Sequence, residues 1–360
     1  MNPDFTLPPA ARLPLLLLGL VVLVGGVLAG FARLGVIVPM MAVQAAGSHG
    51  ALLAAIFFGV VIGLERAVAL GSAFWYLAPL GSGAAGVLVL TGYSDAGAIL
   101  STAGATIFFA ASVRALQKLP ALFTVTLAAG ALAAALGSFL WWHSGVAATA
   151  VPLWLAFLLL TIAGERLELT RLLPPRPAAR KFFVGLLLAL VIAVCWALAG
   201  ETRPLSGVML ALAAWLLYYD IARHNAARNG LPRFVAISLL SGYVMLALGA
   251  SIGLTGAFAP GHPWRDAALH SIFLGFVFAM VIGHAPLVFP AVMRVRIPYH
   301  PVFYLPLLLL QGSVVLRVAG SLRADGTLLR AGAEGSAAAL AVLIVVLLAR
   351  VAAGSRKVAL

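Results

Sequence analysis

The stretch LPLLLLGLVVLVGGVLAGF, Leu13–Phe31, carries no charged residue and consists of apolar side chains, glycine and one proline. A transmembrane helix needs about 20 consecutive, predominantly apolar residues, so this run is long enough to cross a bilayer. It lacks a convincing small-residue cleavage site, and we therefore expect a retained first helix rather than a cleaved signal peptide. Runs of the same kind recur along the whole chain.

The overall composition also indicates that the chain is surrounded by the hydrocarbon of a lipid bilayer. Hydrophobic residues make up 63% of the chain and charged residues only 9%, whereas soluble domains carry about 25% charged residues. In hydrocarbon every backbone polar group must be satisfied within the protein, and the apolar runs lack the alternation of barrel strands. The sequence therefore predicts an all-α, polytopic transmembrane helical bundle that contacts the lipid bilayer.

Twelve apolar runs have spanning length, and we predict about twelve transmembrane helices in a single membrane domain, residues 1–360. The apolar stretch Leu34–Gly47, interrupted by glycine and proline, is predicted to be a re-entrant or interfacial segment between the first two. The predicted helices are Leu13–Phe31, Ser48–Leu70, Phe74–Thr91, Ala96–Ala115, Ala121–Trp142, Ala147–Gly164, Phe182–Ala199, Leu205–Ile221, Phe234–Leu254, Ala267–Phe289, Val302–Gly320 and Leu328–Val351.

The basic residues set the predicted orientation. If the N-terminus is cytoplasmic, roughly 17 of the 23 lysines and arginines lie on the inner side. Both termini are therefore predicted to be cytoplasmic. A basic, proline-containing linker, residues 165–181, joins two predicted halves, 1–173 and 182–360. Because the net charge of +13 comes from short loops between apolar runs, we do not expect nucleic acid as a partner.

Two histidines fall at matching depths. Polar groups inside a membrane are costly and are functional candidates by default. His49 opens predicted helix 2 and His270 lies one turn into predicted helix 10, and both helices run from the outer to the inner side. Two neutral imidazoles from facing helices are the ligand set of a six-coordinate b-type haem, or part of a copper site. The alternative is that each is an interfacial histidine satisfied by water.

Two further histidines are candidates for a second metal or haem. His284 lies fourteen residues after His270, which corresponds to about 1400° of turn and about 21 Å of helix on nearly the same face. Pro286 and Pro290 follow it and are expected to kink the helix. His300 begins predicted helix 11 at the cytoplasmic end, where it could approach His284. The alternative for His300 is a loop histidine at the headgroup level.

Two arginines are candidates for binding a cofactor's acidic groups. Arg317 lies near the outer end of predicted helix 11 among valine and leucine residues, where it needs an anion or must snorkel. Haem propionates or lipid phosphate would serve as that anion. Arg33, just outside predicted helix 1, is the second candidate.

The acidic residues near helix ends look structural from the sequence. Asp220 and Asp266 flank helices and are interpreted as ordinary boundary residues. An inner ion-pair network with a structural role is expected from Glu65, Arg66, Glu165, Arg166, Glu168 and Arg294.

A family resemblance lies in predicted helices 2 and 10. Its residues are His49-Gly50, Phe57-Phe58-Gly59 and Glu65-Arg66-Ala67-Val68-Ala69-Leu70, and then His270-Ser271-Ile272-Phe273-Leu274-Gly275-Phe276 with His284. These runs resemble uncharacterised bacterial twelve-helix membrane proteins and, more distantly, the NnrS family. That family is described as haem- and copper-containing membrane proteins linked to nitric oxide stress and denitrification, with an architecture similar to the catalytic subunit of haem–copper oxidases.

The resemblance implies His49 and His270 as ligands and the bacterial cytoplasmic (inner) membrane as the location. The family's helix-2 region typically offers two histidines close together, and this chain offers only His49, which weakens the case for a second metal there.

Together these observations favour a membrane protein that binds haem b, with copper as an additional candidate. Its expected role is electron transfer or a response to nitric oxide, with a redox protein or a quinol as partner, and the sequence leaves enzymatic turnover open. Two alternatives remain: a secondary transporter of a small solute or ion, for which two six-helix halves are typical, and an assembly or scaffold subunit. A haem pair is expected near one membrane face, whereas a transporter site is expected at the midplane.

Overall fold

The computed structural model describes residues 6–170 and 176–356, and within these ranges the regular structure is entirely helical. Twelve long helices confirm the predicted polytopic all-α fold. Eleven of them are long and apolar enough to cross a membrane, and the twelfth, Arg203–Tyr219, has 17 residues. They are α1 Pro9–Arg33, α2 Ala46–Leu70, α3 Ala73–Leu90, α4 Ser94–Lys118, α5 Leu122–Ser144, α6 Ala147–Leu169, α7 Pro177–Leu198, α8 Arg203–Tyr219, α9 Leu231–Gly253, α10 Arg265–Met293, α11 Pro301–Arg323 and α12 Gly326–Ser355.

Each predicted helix corresponds to one observed helix, and the differences lie at the ends. For example, α10 continues through Pro286 and Pro290 to Met293, whereas the prediction ended at Phe289. The segment predicted to be re-entrant or interfacial contains a short helix, Met40–Gln44. Its apolar side chains are largely exposed.

The chain forms two compact units, Met1–Glu165 and Arg166–Leu360. Part of the predicted linker is helical, because α6 continues to Leu169 and α7 begins at Pro177. Proline is well tolerated at a first helical position because its missing N–H has no partner there in any case. The predicted linker residues 171–175, which include Pro174 and Pro175, lie outside the described residues.

Close helix contacts in the first unit depend on small residues. In α4, a Cβ atom on Gly104 would lie 2.9 Å from the backbone nitrogen of Ser82 in α3. Small residues of this kind allow backbones to approach, which is how helices pack in membranes without a hydrophobic driving force.

The second unit is built the same way. A Cβ atom on Gly332 of α12 would lie 2.5 Å from the backbone nitrogen of Arg317 in α11. The two helices are also joined by a hydrogen bond of 2.9 Å between the hydroxyls of Ser313 and Ser336. In α9, a Cβ atom on Gly249 would lie 2.8 Å from the carbonyl oxygen of Ala268 in α10.

Apolar side chains also cover much of the outer surface. Leu188 and Val191 of α7, Leu308 of α11 and Val345 of α12 are each at least 60% exposed. Soluble monomers rarely expose so many large apolar side chains. The chain is therefore a multi-pass membrane protein whose helices contact lipid.

The contact between α11 and α12 gives a direct test of this packing. We expect Gly332→Ala to lower the free energy of unfolding by about 1–3 kcal/mol, because the added methyl meets backbone that cannot rotate away. Gly312→Ala in α11 is the matched control, since a Cβ atom there meets nothing within 4 Å. Thermal unfolding in detergent, followed by tryptophan fluorescence, measures both, and equal midpoints for the two variants would contradict the close contact.

Candidate functional site

His49 is held by the neighbouring helix α1. Its Nδ1 lies 2.7 Å from the carbonyl oxygen of Gly26. A carbonyl only accepts, so Nδ1 carries the proton, and a neutral ring then has its lone pair on Nε2. Gly30 of α1 makes room for the imidazole, because a Cβ atom there would lie 2.7 Å from His49 Cε1. Gly26 and Gly30 of α1 therefore both help to position His49.

His270 has the same arrangement within α10. Its Nδ1 lies 2.9 Å from the backbone oxygen of Asp266 and 3.1 Å from the Oδ1 atom of the same residue. Both atoms are acceptors, so Nδ1 is again the donor and Nε2 carries the lone pair of the neutral ring. The two histidines with matching predicted depth therefore share one tautomer.

Arg317 finds an anion within the protein. Its Nε donates to Asp266 Oδ2 at 2.8 Å and its Nη2 to Asp266 Oδ1 at 2.7 Å. Bidentate pairs of this kind are among the stronger hydrogen-bonded contacts in proteins. Arg317 is buried, so the pair satisfies a charge that otherwise needs a lipid phosphate or a cofactor acid. Arg33, the other predicted arginine, is exposed at the end of α1.

Asp266 lies in the first turn of α10, as predicted, but it is more than an ordinary boundary residue. Asp266 connects Arg317, 51 residues away in sequence, to His270 one turn along α10. No local pattern reveals a partner at that separation. The spacing of Asp266 and His270, four residues apart on one helical face, is the only signal in the sequence that could have suggested their contact.

Both histidines also lie just before a π-helix, a feature that the sequence did not predict. Leu52–Phe57 in α2 and Ser271–Phe278 in α10 have π-helical geometry. Such segments are rare and are found frequently at functional sites. In α10 the side chain of Gln311 donates to the carbonyl oxygen of Gly275, within the π-helix, at 3.0 Å.

His284 and His300 have separate partners. His284 Nδ1 lies 2.7 Å from the carbonyl oxygen of Met280, and its Nε2 lies 2.8 Å from Nη2 of Arg166. A guanidinium only donates, so Nε2 accepts and the ring is neutral. A metal at that nitrogen would have to displace Arg166. The exposed His300 accepts a hydrogen bond from the backbone N–H of Val302 at 3.1 Å and so caps the start of α11.

Asp220 is also more than a boundary residue. It is almost fully buried, and its oxygens accept from the backbone N–H of Ala222 at 2.6 Å and from the hydroxyl of Tyr243 at 2.9 Å. Burial raises the pKa of the Asp220 carboxyl, and the charge of Arg166 and these two hydrogen bonds oppose that rise. Sequence reasoning missed this cluster because its members lie far apart along the chain.

No three His, Cys, Asp or Glu side chains of residues 6–170 and 176–356 come together as a metal-binding group. A haem is held by one or two axial protein ligands, so it does not require such a group.

Residues 12–352 match the model of a family described as a domain of unknown function, DUF8744. The chain belongs to this family. The match extends from α1 into α12, so the DUF8744 domain comprises the whole membrane bundle. No significant match was found among curated proteins or among solved structures. The resemblance to the NnrS family stays a prediction.

The pair formed by Asp266 and Arg317 generates a stability prediction. We expect Asp266→Asn to lower the free energy of unfolding by about 3–5 kcal/mol, because it leaves the buried Arg317 charge without its counterion. The control is Glu334→Gln, which breaks the exposed pair of Arg330 and Glu334 and is expected to cost about 0–1 kcal/mol. Thermal unfolding midpoints measure both, and similar small shifts would show that Arg317 does not depend on Asp266.

Proposed function

We propose that this DUF8744 protein binds haem b through histidine Nε2 atoms, with His49 of the first unit and His270 of the second as the candidate ligands. One observation carries the proposal: in both side chains Nδ1 donates to an oxygen of the protein, which assigns the lone pair of the neutral ring to Nε2. Histidines that ligate metals are commonly oriented in this way, with the second nitrogen hydrogen-bonded to a carbonyl or a carboxylate. On the predicted topology this haem lies near the outer face of the bacterial cytoplasmic membrane.

The surroundings of His270 support this assignment. A carboxylate that accepts from Nδ1–H raises the basicity of the imidazole, and Asp266 is placed to do this. Arg317 binds Asp266 through two hydrogen bonds and so fixes the carboxylate that orients His270. Its proposed role is therefore to position that carboxylate, in addition to the predicted contact with a haem propionate. Arg33, exposed on α1 one turn after Gly30, is the better placed of the two for a propionate.

The two π-helices are the second support. Each begins within three residues of a proposed ligand. A π-turn inserts an extra residue, which changes the direction of the side chains that follow, and such turns are found frequently at functional sites. Their presence directly after His49 and after His270 fits a role in placing the ligands.

The proposed activity is electron transfer or a response to nitric oxide, with a quinol or a redox protein as the electron partner. When bound, haem would supply a redox-active iron. The protein's own contribution is to hold two imidazoles in one tautomer and to keep Arg317 paired with Asp266. Copper, which imidazole nitrogen also suits, is the second candidate metal for these histidines.

Transport of a small ion is a second candidate function, favoured by the contact of Arg166 with His284. Ionisable side chains within spanning helices mark ion pathways in many membrane proteins. The Arg166 guanidinium is buried and contacts the His284 ring at 2.8 Å, which places a charged group inside the second unit.

Spectroscopy of the purified full-length protein tests the haem proposal. We expect protein from haem-replete cells to show a Soret band and, on reduction, a sharp α-band of a b-type haem. His49→Ala and His270→Ala should each weaken or abolish the haem spectrum. The control is His143→Ala, since His143 is exposed and stacks on Phe139. A colourless wild-type protein, or an unchanged spectrum in both ligand variants, would contradict the proposal.

A further inference from the structure

Arg166 is a buried cation with an unfilled hydrogen-bonding position. The residue is only 5% exposed, and its Nη2 donates to His284 Nε2 at 2.8 Å. Its Nε is buried and has no hydrogen-bond partner among the residues that the structure describes. Buried donors without an acceptor are rare in native proteins, and one that persists calls for a specific explanation such as a bound water or ion.

Arg317 is a useful comparison, because the edge of its guanidinium formed by Nε and Nη2 binds an anion. Arg317 uses Nε and Nη2 together to bind the two oxygens of Asp266. In Arg166 that edge carries His284 on Nη2 and no acceptor on Nε. His284 supplies a neutral nitrogen, so it accepts a hydrogen bond but does not balance the charge.

The buried carboxylate close enough to influence Arg166 does not fill this position. Asp220 and Arg166 interact electrostatically, yet among the described residues Arg166 forms no ion pair with a carboxylate. The Asp220 oxygens are instead used by Ala222 N–H and by the Tyr243 hydroxyl. Asp220 therefore moderates the charge of Arg166 from a distance and leaves Nε–H without an acceptor.

We propose that Arg166 and His284 form a binding site for a small oxyanion, of the size of formate or nitrate. A guanidinium edge matches two oxygens of such an anion and provides the charge to bind it. The anion accepts from Arg166 Nε and shares Nη2 with His284. The burial of Arg166 restricts the site to small ligands. The proposal is independent of the haem, because neither proposed axial ligand takes part.

The test is a titration of the purified full-length protein in nanodiscs with sodium formate or sodium nitrate. Sodium gluconate, a larger anion, keeps the ionic strength constant. A ligand that binds the folded state raises the unfolding midpoint with concentration, so we expect a saturable rise with formate or nitrate in the wild type. Arg166→Gln should abolish the rise. Arg330→Gln, which removes an exposed arginine of the same unit, should retain it.

A second variant keeps the test decisive if Arg166→Gln does not fold. Arg166→Lys preserves the charge but lacks Nε–H, and we expect it to require at least a tenfold higher anion concentration for half-saturation. Three results would overturn the proposal. The first is an unfolding midpoint of the wild type that does not rise with formate or nitrate, which would leave water as the acceptor, and the second is an equal rise with gluconate. The third is the same anion concentration for half-saturation in the wild type and Arg166→Lys. None of these would alter the haem spectrum, so the two proposals fail separately.

Discussion

Hydrocarbon offers no hydrogen-bond partner, so polar groups in the spanning helices have to find acceptors and donors within the protein. This constraint accounts for the local structure around three histidines of the spanning helices. His49, His270 and His284 each direct Nδ1 to a main-chain carbonyl. The same requirement pairs the buried Arg317 with Asp266. In the second unit it also means that the buried Nε–H of Arg166 needs an acceptor. The proposed functions therefore use the Nε2 atoms of imidazole rings that these hydrogen bonds already hold in place.

Most of the fold was predictable from the sequence because the bilayer sets both the composition and the length of a spanning helix. All twelve helices were placed, with errors at the ends. The end of α10 was missed because the prediction stopped before Pro290, whereas the helix continues through two prolines. The π-helices were missed because a shift in backbone hydrogen bonding over Ser271–Phe278 leaves no distinctive residue pattern.

The candidate sites were predictable only in part. Histidines within apolar runs stand out by type and depth, and this singled out His49 and His270. Their partners did not stand out, because Asp266 and Asp220 look like helix-end residues until the chain is folded. Arg166 was expected in an ion-pair network and instead donates to His284. In each case the partners come from different helices, and their separation along the chain hides the contact.

The central claim is that His49 and His270 are haem ligands, and electron paramagnetic resonance of the oxidised full-length protein tests it most directly. We expect a ferric haem signal that is lost or changed when either His49 or His270 is replaced by alanine. A preparation from haem-replete cells without a ferric haem signal would contradict the account. So would a ferric haem signal that neither replacement changes.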